Sequence, residues 1–311
     1  MAFVFAAFGG QARAECVPVE ELSAAPPAEV AQGGTSTDAR GRVVAPVMIN
    51  GQGPFRFIVD TGANRSVISQ SLADSLGLAP IGTGEVHAIQ GVTVAPLVEL
   101  ESFQYRNLAL PTGPLPLLQG RVLAGEQGLL GADSMSGRRM RLDFERRCLE
   151  IVPARRARRL QGWEMVRGEL HFGHLVVLEG RVGETRVNVF LDTGSDSTLA
   201  NFALRDALRR QITYDQAALD YARLYNAGEP IVLDSAVVLP RLRIGPLNAN
   251  NVLAYVGDFH IFRLAGLNDE PTLLIGMDVL RRARAIAIDY DRATVHFRLR
   301  GVRPMISMRP A

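Results

Sequence analysis

The sequence predicts an all-β protein, mainly strands with a few short helices, folded as two lobes of similar design. Three observations carry that prediction. Short alternating apolar runs bounded by Gly, Asn and Pro recur along the chain. From Arg42 onward the same pattern is written twice, with Asp60 and Asp192 in matching places 132 residues apart. The chain has 311 residues, 47% of them hydrophobic, enough for two domains with cores that need no disulfide framework or structural metal.

Taken in order, residues 3–9 form an apolar stretch too short to span a bilayer, and Ala12-Arg13-Ala14 has the small-x-small spacing of a signal-peptidase site. Residues 1–14 therefore read as a signal peptide, start-truncated because no basic segment precedes the apolar stretch; a longer, uncleaved anchor is the alternative. Glu15 before Cys16 argues against a lipobox. Residues 15–41, rich in Ala, Pro, Glu, Gly and Thr without periodicity, read as a flexible N-terminal segment.

The first lobe is expected over residues 42–152. Phe55, Phe57 and Val59 alternate with Arg56 and Ile58 up to Asp60, after an Asn50-Gly51 hairpin signal. A short helix fits around 68–76, with Gly77 as its stop. Leu129-Leu130-Gly131-Ala132-Asp133 follows, and Arg141-Leu142-Asp143-Phe144 closes the lobe as a strand. Residues 153–167, with Arg155, Arg156, Arg158 and Arg159, read as a solvated linker.

The second lobe, 168–300, repeats this plan. Val187, Val189 and Leu191 lead to Asp192 after a turn at Gly183, a helix fits around 202–210, and Leu274-Ile275-Gly276-Met277-Asp278 matches the earlier apolar-apolar-Gly segment. That segment is offset by 145 residues (276 − 131), so the second copy has 13 more residues between its motifs. Ala287-Ile288-Asp289-Tyr290 closes it, and 301–311 is a C-terminal tail. Asp133 and Asp278 read as helix N-caps, and Asp143, Asp289 and Asp291 as strand-end and turn residues.

Composition excludes several function classes. The net charge is +2, all 34 basic residues are arginine, and the single dense run gives no support to nucleic-acid binding. His171, His174, His260 and His296 lack HExxH spacing and no CxxC pair occurs, so no metal and no cofactor are expected. There is no G-x-S-x-G elbow or phosphate-binding glycine loop. No later run approaches the roughly 18 residues of a spanning helix, so no stable membrane insertion is expected after signal cleavage. Cys16 and Cys148 are the only cysteines; pairing stays open in an oxidising compartment, but the position of Cys16, near the mature terminus, leans against it.

An Asp-Thr-Gly at the end of an apolar strand has a specific use, because the strand fixes the carboxylate and a Gly without Cβ permits a sharp turn beside it. One copy is weak evidence, and ordinary turn chemistry would account for it. Two in-register copies, each followed by an apolar-apolar-Gly segment, allow a two-fold arrangement with both carboxylates at one interface. Carboxylates about 3 Å apart at an effective dielectric near 20 repel by roughly 5 kcal/mol, or about four pKa units, so the pair retains one proton.

Phe57-Ile58-Val59-Asp60-Thr61-Gly62-Ala63 and Val189-Phe190-Leu191-Asp192-Thr193-Gly194-Ser195 resemble the catalytic motifs of aspartic proteases. Over residues 42–300 the chain looks like a bacterial single-chain member, a pepsin-like bilobal arrangement of two retropepsin-like β-barrel halves. The resemblance implies that Asp60 and Asp192 are catalytic, that Thr61 and Thr193 cross-brace the loops, and that Gly62 and Gly194 shape them. Ser195 is expected to hydrogen-bond a catalytic carboxylate and Ala63 is not, which would make the two sides electrostatically unequal. Ala132 and Met277 stand where retroviral members carry Arg, so no ion pair of that type is expected.

The family covers its site with a glycine-bearing hairpin flap. Val86–Val92, with His87 and Gly91, and Leu224–Glu229, with Tyr225 and Gly228, are the two candidates. His87 and Tyr225 are placed to touch substrate, although a turn-exposed polar residue without a role is the favoured reading of each. The implied function is an exported aspartic endopeptidase, periplasmic or secreted, acting as a monomer on protein or peptide substrates by a two-aspartate, water-activating mechanism. The alternative is a catalytically silent protein that keeps the cleft and binds peptides by strand addition.

Overall fold

The computed structural model describes Cys16 and residues 29–87, 89, 91–119, 123–172, 175–222 and 232–300. The signal-peptide reading, the C-terminal tail, His174, Tyr225 and Gly228 lie outside the described residues. The architecture is the predicted one, two β lobes with only short helices.

Each lobe is built around a strand buried on both faces. In the first, Val43–Ile49 turns through Asn50 and Gly51, at φ +49° and +73°, into the antiparallel strand Gln52–Val59. Positive φ at both positions gives the turn twist that fits a hairpin. Phe57 and Val59 enter the main core, whereas Ile58 faces a second cluster with Val44, Val67 and Leu129. In the second lobe, Leu175–Val182 pairs with Thr185–Leu191 in the same way. Val189 and Leu191 face the main core, and Phe190 joins Val177, Leu199 and Leu274 in a third cluster. This two-sided burial is why both runs are continuously apolar just before their aspartates.

Both helices are shorter than their sequence windows: a strand takes the first two residues of the first window, and the second helix ends three residues early at Ala207. Val67–Ser69 leads into Gln70–Ser75, where Ser69 Oγ accepts the Leu72 N–H at 3.1 Å. Thr198–Ala200 leads into Phe202–Ala207, capped by Asn201 at 2.9 Å. Gly77 stops the first helix at φ +66°. No helix among the described residues is long and apolar enough to cross a membrane.

The two closing strands pair with each other. Arg138–Asp143 lies antiparallel to Ala283–Asp289, with Met140 opposite Ile288 and Leu142 opposite Ile286. A six-stranded run results, in the order Ala31–Gly34, Cys148–Pro153, Arg138–Asp143, Ala283–Asp289, Thr294–Leu299, Glu164–His171, and it ties the lobes together beneath the cleft. On its other face, buried Arg141 and Glu150 form an ion pair at 2.9 Å, and Arg139 donates to the Arg158 carbonyl at 2.7 Å. The arginine-rich linker is thereby held against the sheet, although the Arg155 side chain is 74% exposed.

Two sequence expectations need correction here. The segment read as flexible contains Ala31–Gly34, a strand paired in register with Cys148–Pro153. The expectation against a bridge fails as well, since Cys16 and Cys148 form a disulfide. A strand that runs along Cys148–Pro153, with Gly34 opposite Cys148, returns the N-terminal segment to the sheet, which spacing alone does not show.

Candidate functional site

Each Asp-Thr-Gly sits where its strand ends beside the apolar-apolar-Gly segment of its own lobe. Gly128–Leu130 lies parallel to Phe57–Val59, and Thr272–Ile275 lies parallel to Asn188–Leu191. The Asp60 N–H donates to the Leu130 carbonyl and the Asp192 N–H to the Ile275 carbonyl, both at 3.0 Å. Ala132 and Met277 then reach back to the carbonyls of Ala63 and Ser195 at 2.8 and 2.9 Å. Glycine is required at the crossing: a Cβ on Gly131 would sit 2.5 Å from the Arg65 backbone, and one on Gly276 would sit 2.5 Å from the Ser197 carbonyl oxygen.

The two loops are joined by their threonines. Thr193 Oγ1 accepts the Thr61 N–H at 3.2 Å and donates to the Val59 carbonyl at 2.6 Å. Thr61 Oγ1 accepts the Thr193 N–H at 3.1 Å and donates to the Leu191 carbonyl at 2.7 Å. Every polar group in this brace is thus matched across the lobe boundary, in a place where exposure of Thr61 is 5% and of Thr193 zero. The cross-bracing expected of these residues is present.

The brace brings Asp60 and Asp192 face to face. A Cβ on Gly62 would lie 2.5 Å from the Asp192 carboxyl carbon, and one on Gly194 would overlap the Asp60 carboxylate, so each glycine makes room for the opposite acid. Asp60 Oδ1 accepts the N–H groups of Gly62 and Ala63, both at 2.9 Å. Asp192 Oδ1 accepts those of Gly194 and Ser195 at 2.8 and 3.1 Å. These bonds hold one oxygen of each carboxyl, and the two acids lie close enough for each to bear on the other's proton.

Burial raises both acids above the ordinary carboxylate range. Asp192, 4% exposed, is pushed well above it by burial and then by the charge of Asp60. Asp60 keeps an open face toward the cleft and rises less, because the Asp192 hydrogen bond, the two backbone donors and the Arg42 guanidinium all favour its ionised form. The two acids titrate as one pair in unequal surroundings, since the Arg42 charge bears on Asp60 and not on Asp192.

The source of this inequality differs from the expected one. Ser195 Oγ donates to the Ser197 carbonyl at 2.7 Å, and Ser195 reaches Asp192 only through its backbone N–H. The charge comes instead from Arg42, which is 5% exposed, pairs with Asp38 at 2.7 Å and donates to the Gly194 carbonyl of the other lobe at 3.3 Å. Arg42 was legible only as the residue at which the folded repeat begins. Asp133 and Asp278 are likewise not N-caps, since Gly131 and Gly276 hold those positions. Asp133 accepts from Ser66 N and Oγ, and Asp278 from Thr198 Oγ1, so both tie the apolar-apolar-Gly segment to the loop beside it.

Above the two acids lies a cavity of about 360 Å³. Val67, Leu118 and Leu129 line it from the first lobe, and Leu199, Ile261 and Leu274 from the second. Gly82–His87 and Val92–Val98 form an antiparallel hairpin over it, where the first flap was expected. Glu85, Val86, His87 and Ile89 face the cavity, and Gly91 does not line it. His87, read as a turn-exposed polar residue, is partly exposed, and its Nδ1 lies 3.1 Å from His260 Nε2 of the second lobe. His260 and Ile261 escaped sequence reasoning, since nothing in the first copy corresponds to their helix. Among the described residues no group of three or more His, Cys, Asp or Glu side chains could hold a metal ion.

A family model described as aspartyl protease matches residues 45–134 and 178–279, well over half of the chain and both halves of the repeat. No curated protein matches the chain.

Proposed function

This chain belongs to the aspartyl protease family, and from that premise we propose that it is an exported aspartic endopeptidase whose catalytic residues are Asp60 and Asp192. The observation that carries the proposal is the pair of carboxyls that face each other on the floor of an apolar cleft, with Arg42 beside only one of them. Asp60, beside Arg42, is the ionised member and takes a proton from the attacking water. Asp192, the protonated member, gives its hydrogen bond to the carbonyl oxygen as that oxygen gains charge. Water oxygen bonds to the carbonyl carbon, the C–N bond breaks, and the departing nitrogen receives the proton that Asp60 took up. The backbone donors to each Oδ1 hold both groups in place throughout.

The substrate is a protein or peptide in extended form, which suits a cleft covered by a β-hairpin. One chain supplies both halves of the site, so the unit of activity is the monomer. A disulfide persists in oxidising compartments, and Cys16–Cys148 supports a periplasmic or secreted location.

Cleavage of a diverse peptide library from acid to neutral pH, with Asp60→Asn and Asp192→Asn as controls, tests the proposal. Wild type is expected to cut, and either variant to fall to background while keeping its circular dichroism. Cleavage retained by Asp192→Asn, or saturable peptide binding by wild type without any cleavage, would overturn it.

A further inference from the structure

The hairpin over the cleft is rooted in one lobe and fastened to the other. Its base belongs to the first lobe, where Leu115–Leu118 pairs with Val92–Val98. Its far end crosses the cleft and makes two contacts. Ile89 packs against the second lobe's cluster of Phe190, Phe262 and Leu274. His87 meets His260, which opens the helix His260–Leu264, with ring centroids 5.4 Å apart, planes within 17° and the nitrogens at 3.1 Å.

We propose that the His87–His260 contact is a proton-operated latch that holds the hairpin 82–98 closed over the cleft at neutral pH and releases it on acidification. Two neutral imidazoles share one N–H···N bond, and a single added proton makes that bond charge-assisted and stronger. A second proton removes the last acceptor lone pair and leaves two cations in contact. Closure therefore survives the first protonation and fails at the second.

The surroundings favour a sharp response. His260 is held below the ordinary imidazole range by burial, then by His87 and Arg263, so the second proton arrives only in acid. Three charged groups lie around the pair. Glu85 Oε2 lies 3.8 Å from the far nitrogen of His87, is 71% exposed and does not stand between the rings. Arg263, on the same helix as His260, is paired with Asp258 and adds positive charge on that side. The His87 side chain is 35% exposed, so protons reach the contact from solvent. Without it, the crossing end keeps its Ile89 contact with the second lobe. What the cleft admits when it opens rests on the peptidase reading above; the latch itself does not.

Hydrogen exchange of the full chain, in EDTA at pH 7.5 and 4.5 and corrected for the intrinsic rate, tests it without reference to activity. Wild type is expected to lose about tenfold in protection across 82–98 at the lower pH, roughly 1.4 kcal/mol of closure, while Thr185–Leu191 is unchanged. His260→Gln keeps a hydrogen bond but does not titrate, so its hairpin should stay protected at both pH values. His87→Phe keeps a ring without a proton site and should remove the pH dependence. Equal wild-type protection at both pH values, or a wild-type pH response in both variants, would overturn the latch. An intact latch response in a chain that cleaves no peptide would instead count only against the peptidase reading.

Discussion

Replacing Thr193 with valine probes the brace that makes one site out of two lobes. The substitution keeps the shape of the side chain, so it opens almost no cavity, but it removes an oxygen that accepts the Thr61 N–H at 3.2 Å and donates to the Val59 carbonyl at 2.6 Å. Both backbone groups lie at the fully buried centre of the lobe boundary. A buried polar group that loses its partner costs about 1–3 kcal/mol, so the pair should cost about 2–4 kcal/mol after a small gain from valine's extra methyl. Urea denaturation at pH 6 reads this as a lower midpoint with an unchanged slope. Thr61→Val, which removes the partner of the Thr193 N–H and the Leu191 carbonyl, should cost a similar amount. A loss below about 0.5 kcal/mol in both variants would refute the reasoning, because the loops would then be held by something other than this brace.

Asp278 is exposed as a residue, but its carboxyl, bonded to Thr198, is packed against protein on one side, and that desolvation raises it from 3.8 to about 6. Its ionised form is therefore penalised in the folded state: the penalty is absent below about pH 4, grows as pH rises through about 6, and is full above it. Asp278→Asn should raise stability at pH 7.5 by about 0.5 kcal/mol, since solvent screens most of the penalty on an exposed residue, and leave it nearly unchanged at pH 4, measured by denaturant titration at both. The disulfide closes a loop of 132 residues, for which chain entropy predicts roughly 5 kcal/mol and measured bridges usually give about 2–4. Cys16→Ser/Cys148→Ser should accordingly unfold at a lower urea midpoint, and an equal midpoint would show that the bridge adds nothing to the fold.

Much of the site was legible because duplication leaves a periodic trace. The 132-residue offset fixed Asp60 against Asp192 and Thr61 against Thr193, and the apolar runs before them showed strands buried on both faces. Both aspartates, both threonines and both glycines of the motifs stand where that comparison puts them. Residues that lack a counterpart were not legible. Arg42, whose counterpart by the same offset is His174, looks like an ordinary cation at the start of a strand, and its place beside Asp60 depends on a carbonyl from the other lobe. Ser195 was misread for a related reason: its hydroxyl had a local carbonyl at Ser197 to bond, and a local partner wins over a more distant one.

By itself, the sequence determined the elements of each lobe and the residues at their tips, because alternation, turn residues and close-approach glycines act over a few positions along the chain. The tertiary structure alone decided how the lobes meet. Pairing of Met140 with Ile288 joins the two closing strands, and the crossed threonine bonds, the Arg42 charge and the His87–His260 contact each need groups from both lobes. Such contacts leave no periodicity in the chain, since they are set by which buried donors and acceptors find partners once two separately formed surfaces are brought together.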